Sequence, residues 1–171
     1  MRQRGFTLVE ILVAVVIIGI MIAAVTLGAG IGQSDRQLET ERDRILAIAD
    51  HLRDQGALQN REYGLRCFDG GYQFLVYDAR NALWHTDGDD LMRARQLPRG
   101  LAMRLKIEGR QVILPEADVK ADSLIPQIML YSSGELSLFE LDLQREPGSG
   151  FRLATTNTGD GIAVTKIESA Q

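Results

Sequence analysis

The feature that most constrains this chain is an uncharged stretch, residues 11–32, that follows a single acidic residue, Glu10. A helix needs about 20 apolar residues to cross the roughly 30 Å hydrocarbon core of a bilayer. The stretch therefore predicts a transmembrane helix over residues 6–32. An ionisable group in such a segment costs roughly 2.5–3.5 kcal/mol at mid-bilayer and less near the edge. Glu10 is therefore expected to serve a function and to need a partner of opposite charge.

Two simpler interpretations of this start are a secretory signal peptide and a plain membrane anchor. A signal peptide has an apolar stretch of about 7–15 residues and a small-residue cleavage site after it. Residues 11–32 are too long for that and carry an acid at their head. A plain anchor explains the length and the flanking Arg2 and Arg4, which favour a cytoplasmic N-terminus. It does not explain Gly5 or Glu10.

The sequence R-G-F-T-L-V-E from Arg4 to Glu10 resembles the class III signal of type IV pilins and of the pseudopilins of type II secretion. The resemblance implies that a prepilin peptidase removes residues 1–5 by cutting between Gly5 and Phe6. It also implies that the new amine of Phe6 is N-methylated and that Glu10 guides subunit assembly. In a staggered filament the Glu10 carboxylate of one subunit can meet the Phe6 amine of its neighbour. Such a pair in low dielectric would set register more than affinity.

Composition agrees with one domain that follows the membrane segment. Residues 33–171 have the length of a single domain, and an apolar content of 45% is ordinary for a globular protein. Removal of Arg2 and Arg4 would leave 17 basic residues against 23 acidic ones, a formal charge of −6. This acidic balance argues against nucleic acid as the main partner.

Cys67 is the only cysteine, so the chain cannot form an internal disulfide. It alternates with Tyr63 and Leu65, which predicts a buried thiol on a strand rather than a reactive one. A bridge to another molecule is the alternative.

Apolar residues continue at helical spacing beyond residue 32 and predict an amphipathic stem helix over residues 33–60. The apolar face, expected to pack on the domain, consists of Leu38, Ile45, Ile48, Ala49 and Leu52. Gly28, Gly30 and Gly32 interrupt the helix at alternate positions, and each costs about 1 kcal/mol relative to Ala. They indicate either a linker at the membrane exit or a hinge, and the sequence does not choose between these.

From Tyr63 onward the period changes from helical to two, which predicts a β-rich head over residues 61–171. Four successive hairpins are expected, with turns at Asp69-Gly70-Gly71, Gly109-Arg110, Ser132-Ser133-Gly134-Glu135 and Gly159-Asp160-Gly161. The predicted fold class is α+β: a long N-terminal transmembrane and stem helix packed on two antiparallel β-sheets in a pilin-like, sandwich-like head.

The head narrows the resemblance to the minor pseudopilins of the GspH type. The residues that carry it are Y-G-L-R-C-F-D-G-G-Y-Q-F-L-V-Y-D from Tyr63, then Trp84, then L-P-R-G-L from Leu97, then Y-S-S-G-E-L-S-L-F-E-L from Tyr131. The resemblance implies a minor subunit near the tip of a periplasmic pseudopilus, which helps drive folded proteins through the outer-membrane secretin.

The same resemblance implies where the chain resides and what it meets. It would cross the inner membrane once, with its N-terminus in the cytoplasm and its head in the periplasm. The expected partners are membrane lipid, the prepilin peptidase, the other major and minor pseudopilins and the inner-membrane assembly platform. The secretin would be an indirect partner.

Catalysis and cofactor binding are poorly supported by the sequence. His51 and His85 are the only histidines, and no G-x-S-x-G elbow or phosphate-binding glycine loop occurs. Ser149, between two glycines, is typical of a flexible turn. Asp87, Asp89 and Asp90 concentrate oxygen ligands but lack the spaced ligands and closing Glu of an EF-hand. The chain is therefore not expected to be an enzyme or to bind a cofactor, with calcium as the alternative.

The strongest alternative function is a minor type IV pilin that binds DNA or contributes to pilus assembly. Six basic residues concentrate positive charge in one stretch: Arg93, Arg95, Arg99, Arg104, Lys106 and Arg110. A patch that neutralised phosphates would bind in a strongly salt-dependent way. Arg104 and Lys106 share the polar face of their strand, with Glu108 adjacent, which favours a solvated strand face. Nucleic acid is therefore not an expected partner.

Overall fold

The computed structural model describes residues 8–117, 124–145 and 148–168, and of residues 23–35 it describes the backbone alone. One long helix, α1 (Leu8–Gln59), precedes a series of strands. The strands are β1 (Tyr63–Phe68), β2 (Gly71–Asp78), β3 (Leu83–His85), β4 (Arg95–Gln96), β5 (Leu101–Ile107), β6 (Arg110–Val112), β7 (Ile128–Leu130), β8 (Phe139–Arg145), β9 (Gly150–Thr155) and β10 (Ile162–Ile167). The predicted α+β class, a long helix with two antiparallel sheets, is confirmed.

The chain divides into two compact units, Met1–Gln37 and Leu38–Gln171. In the first unit, residues 8–22 of α1 are exposed around the whole circumference of the helix. No helix is long and apolar enough to cross a membrane within the residues that the structure describes. The membrane span predicted over residues 6–32 begins outside those residues, so it stays a prediction. The backbone is helical through Gly28, Gly30 and Gly32.

In the second unit, α1 presents its predicted apolar face to the core. Leu38, Ile45, Ile48, Ala49 and Leu52 are all buried, which confirms the amphipathic pattern. Asn60 ends the helix in the left-handed region, with a φ of 52°. The Arg61 N–H then donates to the Gly56 carbonyl at 3.1 Å and satisfies one of the last helical acceptors.

The strands form two five-stranded antiparallel sheets. The first has the order β3-β2-β1-β7, with β4 also paired to β2, and the second has the order β10-β9-β8-β5-β6. A single apolar cluster joins the stem part of α1 to both sheets. The fully buried side chains at its centre include Phe74, Leu105, Leu141 and Leu143.

Three of the four predicted hairpins are confirmed, although one turn is shifted by a residue. β5 and β6 are joined by Glu108 and Gly109, since Ile107 pairs with Arg110. Both turn residues have positive φ, 50° and 77°, as the common two-residue hairpin turn requires. The hairpins of β1 with β2 and of β9 with β10 form around Gly70 and Gly159 as expected.

The hairpin predicted across Ser132–Glu135 forms only next to its turn, where Leu130 and Leu136 make one antiparallel bridge and the Ser137 N–H donates to the Met129 carbonyl at 3.0 Å. The turn itself forms, because the Tyr131 N–H donates to the Glu135 carbonyl at 2.9 Å. The strands beyond it separate: β7 pairs with β1 in the first sheet, and β8 pairs with β5 and β9 in the second. The Leu136 N–H already donates to the Gly159 carbonyl at 2.9 Å. The chain therefore crosses from one sheet to the other here.

Candidate functional site

The predicted N-terminal site lies only partly within the described residues. Gly5 and Phe6, the predicted cleavage and methylation positions, fall outside them. Glu10 lies in the first turn of α1 and is exposed. A carboxylate in this position interacts favourably with the positive end of the helix dipole. The predicted pairing of Glu10 with a Phe6 amine stays a prediction.

The helix around Glu10 is apolar on every side. Val9, Ile11, Leu12 and Val13 are all large apolar residues with substantial exposure, and the same pattern continues to Ile22. A helix that is hydrophobic all round is normally covered by lipid or by other protein. This segment is therefore an interaction surface, since soluble monomers rarely expose contiguous apolar surface of this extent.

A buried carboxylate fastens the stem part of α1 to the first sheet. Glu41 is 3% exposed and accepts a hydrogen bond from the Tyr72 hydroxyl at 2.9 Å. The Arg95 Nε donates to both Glu41 oxygens at 3.2 Å. Burial and the neighbouring Glu41 charge raise the pKa of Tyr72 well above its usual value. The network fixes β2 and β4 against the helix, because a buried acid is tolerated only with such partners.

Arg53 makes the equivalent connection near the end of α1. Its guanidinium donates to the Gly134 carbonyl at 3.2 and 2.9 Å, and also to the Asp160 carbonyl. Its Nη1 lies 3.2 Å from the Asp50 carboxylate on the same helix. One side chain therefore holds the turn after β7 and the turn after β9 against the stem.

Sequence reasoning missed both of these connections, although one left a signal. Glu41 falls at helical spacing between Leu38 and Ile45, on the stripe predicted to be buried. An acid on such a stripe needs a partner in the head. Arg53 carried no comparable signal, because the carbonyls it meets belong to distant turns.

Cys67 is fully buried, which confirms the prediction of a structural thiol. Its backbone N–H donates to the Gln127 amide oxygen at 2.7 Å, and the Gln127 amide nitrogen donates to the Cys67 carbonyl at 3.1 Å. Burial raises the pKa of the Cys67 thiol to about 12. The reactive thiolate is therefore disfavoured, as is a bridge to another molecule.

The acidic turn, which contains Asp87, Asp89 and Asp90, has each of its carboxylates in contact with a different protein group. Asp87 pairs with Arg61 at 3.1 Å, and Asp90 pairs with Arg93 at 2.7 Å. Asp89 accepts from the Leu91 N–H at 3.0 Å and caps the short 3₁₀ helix Asp90–Met92. Across the described ranges, no three His, Cys, Asp or Glu side chains are grouped as a metal site requires.

The predicted basic stretch is divided among separate parts of the head. Several members pair with carboxylates, among them Arg93 with Asp90, Arg95 with Glu41, and Lys106 with Glu140 at 3.5 Å. Glu140 also lies 3.6 Å from Arg152. Arg152 in turn forms a bidentate salt bridge with Asp142, with hydrogen bonds of 2.6 and 2.8 Å. The structure therefore mixes the positive charge with acids, as expected for a solvated strand face.

The residues considered for catalysis lie on different elements. His51 is exposed on α1, and His85 lies on β3 with its Nδ1 3.1 Å from the Thr86 carbonyl oxygen. Ser149 lies in the turn before β9, where its carbonyl accepts from the Arg145 N–H at 3.2 Å.

Comparison with known proteins identifies the family. A family model described as the prokaryotic N-terminal methylation motif matches residues 1–26. The type II secretion system protein H of Pseudomonas aeruginosa is 34% identical over 173 residues, which cover 99% of this chain and 98% of that protein. The protein of the same name from Aeromonas hydrophila is 32% identical over 85% of this chain and 82% of its own length.

Solved structures give the same result for the fold. A crystal structure of the minor pseudopilin EpsH from the type II secretion system of Vibrio cholerae superposes with a TM-score of 0.62, covering 79% of this chain and 98% of that one at 16% identity. Because the similarity to the Pseudomonas protein extends along almost the whole of both chains, this chain belongs to the type II secretion system protein H family.

Proposed function

We propose that this protein is a minor pseudopilin, a structural subunit near the tip of the periplasmic pseudopilus that helps drive folded exoproteins through the outer-membrane secretin. The observation that carries the proposal is the full-length similarity to a type II secretion system protein H, together with the methylation motif over residues 1–26. The apolar surface of residues 8–22 supports it, because such a helix needs lipid or neighbouring helices around it.

Maturation at the N-terminus is the first step of the proposed function. A prepilin peptidase cuts between Gly5 and Phe6, removes residues 1–5, and the Phe6 amine is methylated. Cutting creates a cation at the start of the helix. The chain then remains in the inner membrane as a single-pass protein, with its N-terminus in the cytoplasm and its head in the periplasm.

Glu10 is proposed to act in the second step, which is assembly. Its carboxylate pairs with the Phe6 amine of an adjacent subunit and sets the stagger between the helices. An unpaired acid among apolar side chains is costly, so subunits in the wrong register are disfavoured. The partners are the other major and minor pseudopilins, brought together by the inner-membrane assembly platform.

The head is proposed to act as a rigid binding module without a catalytic centre or a bound metal. The carboxylates that a calcium ion would need are engaged by Arg61, the Leu91 N–H and Arg93. The buried Glu41 and the partly buried Arg53 serve to hold the sheets on the stem.

Mass spectrometry of the full-length protein from cells with and without the prepilin peptidase tests this proposal. We expect a mature chain that begins at Phe6 and carries one extra methyl group, and an unprocessed chain when the peptidase is absent. The matched variant Gly5→Val should block cutting. A chain that keeps residues 1–5 in the presence of the peptidase would refute the assignment.

A second measurement addresses Glu10. Glu10→Ala should leave cutting and methylation intact and reduce co-purification with the other pseudopilins. Ile11→Ala, which removes a neighbouring apolar side chain without removing a charge, is the control. Wild-type co-purification of Glu10→Ala would contradict the pairing mechanism.

A further inference from the structure

A cleft of about 270 Å³ lies between the stem part of α1 and the segment around the 3₁₀ helix. Its lining combines three arginines and one acid with apolar side chains: Arg44, Arg93, Arg95, Asp90, Ile48 and Leu91. Arginine is the side chain best suited to bind a carboxylate in two places, and apolar neighbours exclude water from such a pair.

The cleft carries more positive than negative charge. Arg93 is balanced by Asp90 at 2.7 Å, and Arg95 is balanced by Glu41 at 3.2 Å. Arg44 is exposed and close enough to Tyr72 for its charge to oppose the rise in the pKa of that phenol. Within the described part of the chain, Arg44 pairs with no carboxylate. One guanidinium is therefore available to a carboxylate from another molecule.

Arg95 is held in position before any ligand arrives. The buried Glu41 engages its Nε and Nη2, while its side chain remains 41% exposed at the cleft. The Asp89 cap fixes the start of the 3₁₀ helix, and the Tyr72 hydroxyl is already engaged by Glu41. A binding group held in this way loses little conformational entropy when a ligand binds.

We propose that this cleft binds an acidic side chain from the stem helix of a neighbouring pseudopilin. The inference rests on the proposed function, because helices that pack side by side in a filament bring the stems of adjacent subunits together. This chain carries exposed stem acids of the required kind at Glu39 and Asp54, whereas the exposed Asp43 already pairs with Arg42 at 2.7 Å. The carboxylate pairs with Arg44 and Arg95, and the methylene groups of the same side chain lie against Ile48 and Leu91.

Photo-crosslinking in cells that contain the complete secretion system tests the cleft. The full-length chain carries p-benzoyl-phenylalanine at position 91, where Leu91 is 38% exposed in the cleft. The control carries it at position 83, where Leu83 is 45% exposed on β3, outside the cleft. We expect an adduct with another pseudopilin from position 91 that is several-fold stronger than any from position 83.

Substitution of Arg44 then shows whether charge is responsible. Arg44→Glu should lower the position-91 adduct several-fold, and Arg44→Lys should retain most of it. Arg80→Glu, which reverses an exposed arginine in the turn between β2 and β3, should leave it unchanged. In the partner, reversal of the acid identified in the adduct should restore crosslinking to Arg44→Glu.

The outcomes separate this inference from the proposed function. A chain that is cut at Phe6 and co-purifies with other pseudopilins, but gives no adduct at position 91 or one insensitive to Arg44→Glu, overturns the cleft proposal alone. An adduct with lipid or nucleic acid also overturns it. A chain that is never cut at Phe6 overturns the proposed function, and the cleft proposal with it.

Discussion

The two halves of α1 use similar apolar residues in opposite ways. In residues 8–22 the apolar side chains surround the helix and are exposed, whereas between residues 38 and 52 they form one buried stripe. Ile17 is 47% exposed and Leu52 is 1% exposed. The pattern rather than the composition shows what covers each half: the chain's own sheets cover a stripe, and other molecules must cover a full circumference.

The acids of the two halves differ in the same way. Glu41 finds Tyr72 and Arg95 within its own head. Glu10 lies on the exposed apolar segment, where we propose that its functional partner belongs to another subunit. An acid on an apolar helix face therefore needs a partner, which Glu41 meets inside the head.

The largest effect should come from truncating the buried stripe. Leu52→Ala should lower the free energy of unfolding by about 2–5 kcal/mol, because it leaves a cavity in a close-packed core. Denaturant titration of the purified full-length protein, followed by the fluorescence of Trp84, measures the change. Trp84 is the only tryptophan and lies 5.1 Å from the Tyr77 ring. Ile17→Ala is the control and should leave the transition unchanged. Equal losses of unfolding free energy in Ile17→Ala and Leu52→Ala would contradict the contrast between the two halves of α1.

A smaller loss is expected from neutralising the buried acid. Glu41→Gln keeps the size of the side chain but removes the charge that Arg95 faces, and should cost about 1–3 kcal/mol. The exposed side of Arg95 can be hydrated, which limits the loss. Glu10→Gln should not alter the same unfolding curve. If Glu41→Gln were neutral, the acid would not fasten the head to the stem.

Alkaline pH should lower the free energy of unfolding of the head, because the buried Cys67 thiol and Tyr72 phenol resist losing their protons in the native state. Burial raises the pKa of Cys67 from 9.0 to about 12, so the native state holds the thiol proton more tightly than the unfolded chain does. Its contribution is complete below pH 9 and is lost as the pH rises from 9 toward 12. Cys67→Ala should therefore flatten the fall of the unfolding free energy in that range. The fall should not vanish, because burial also raises the pKa of Tyr72; an unchanged slope would contradict the assignment.

The smallest changes in stability should come from the acidic turn, because its carboxylates already have partners within the protein. Melting in excess calcium and in chelator should coincide. Asp90→Asn should change the free energy of unfolding by less than about 1 kcal/mol, because the pair with Arg93 is exposed at the surface. A calcium-dependent rise in the melting temperature that Asp90→Asn abolishes would instead establish a metal site.

Local sequence patterns predicted the helix and most of the strands, and the main error lay in which strands pair with each other. The stripe from Leu38 to Leu52, the buried Cys67 and the turns at Gly70, Gly109 and Gly159 follow from periodicity and glycine geometry. Alternation with period two identifies a strand but not its neighbour. The strands on either side of Ser132–Glu135 were therefore predicted to pair along their length, although only Leu130 and Leu136 bridge and the strands belong to different sheets. The two-residue strand β4 and the three-residue strand β3 are too short to produce a pattern.

The sequence by itself determined the N-terminal motif with Glu10, the apolar helix, the α+β class and the family, because these depend on residue order and on short-range periodicity. Only the tertiary structure decided which strands pair, that Glu41 meets Tyr72 and Arg95, and that Arg44 joins Arg95 and Leu91 around one cleft. The physical reason is distance along the chain: Glu41 and Arg95 lie 54 residues apart. No local preference encodes such a contact, so packing of the whole head had to create it.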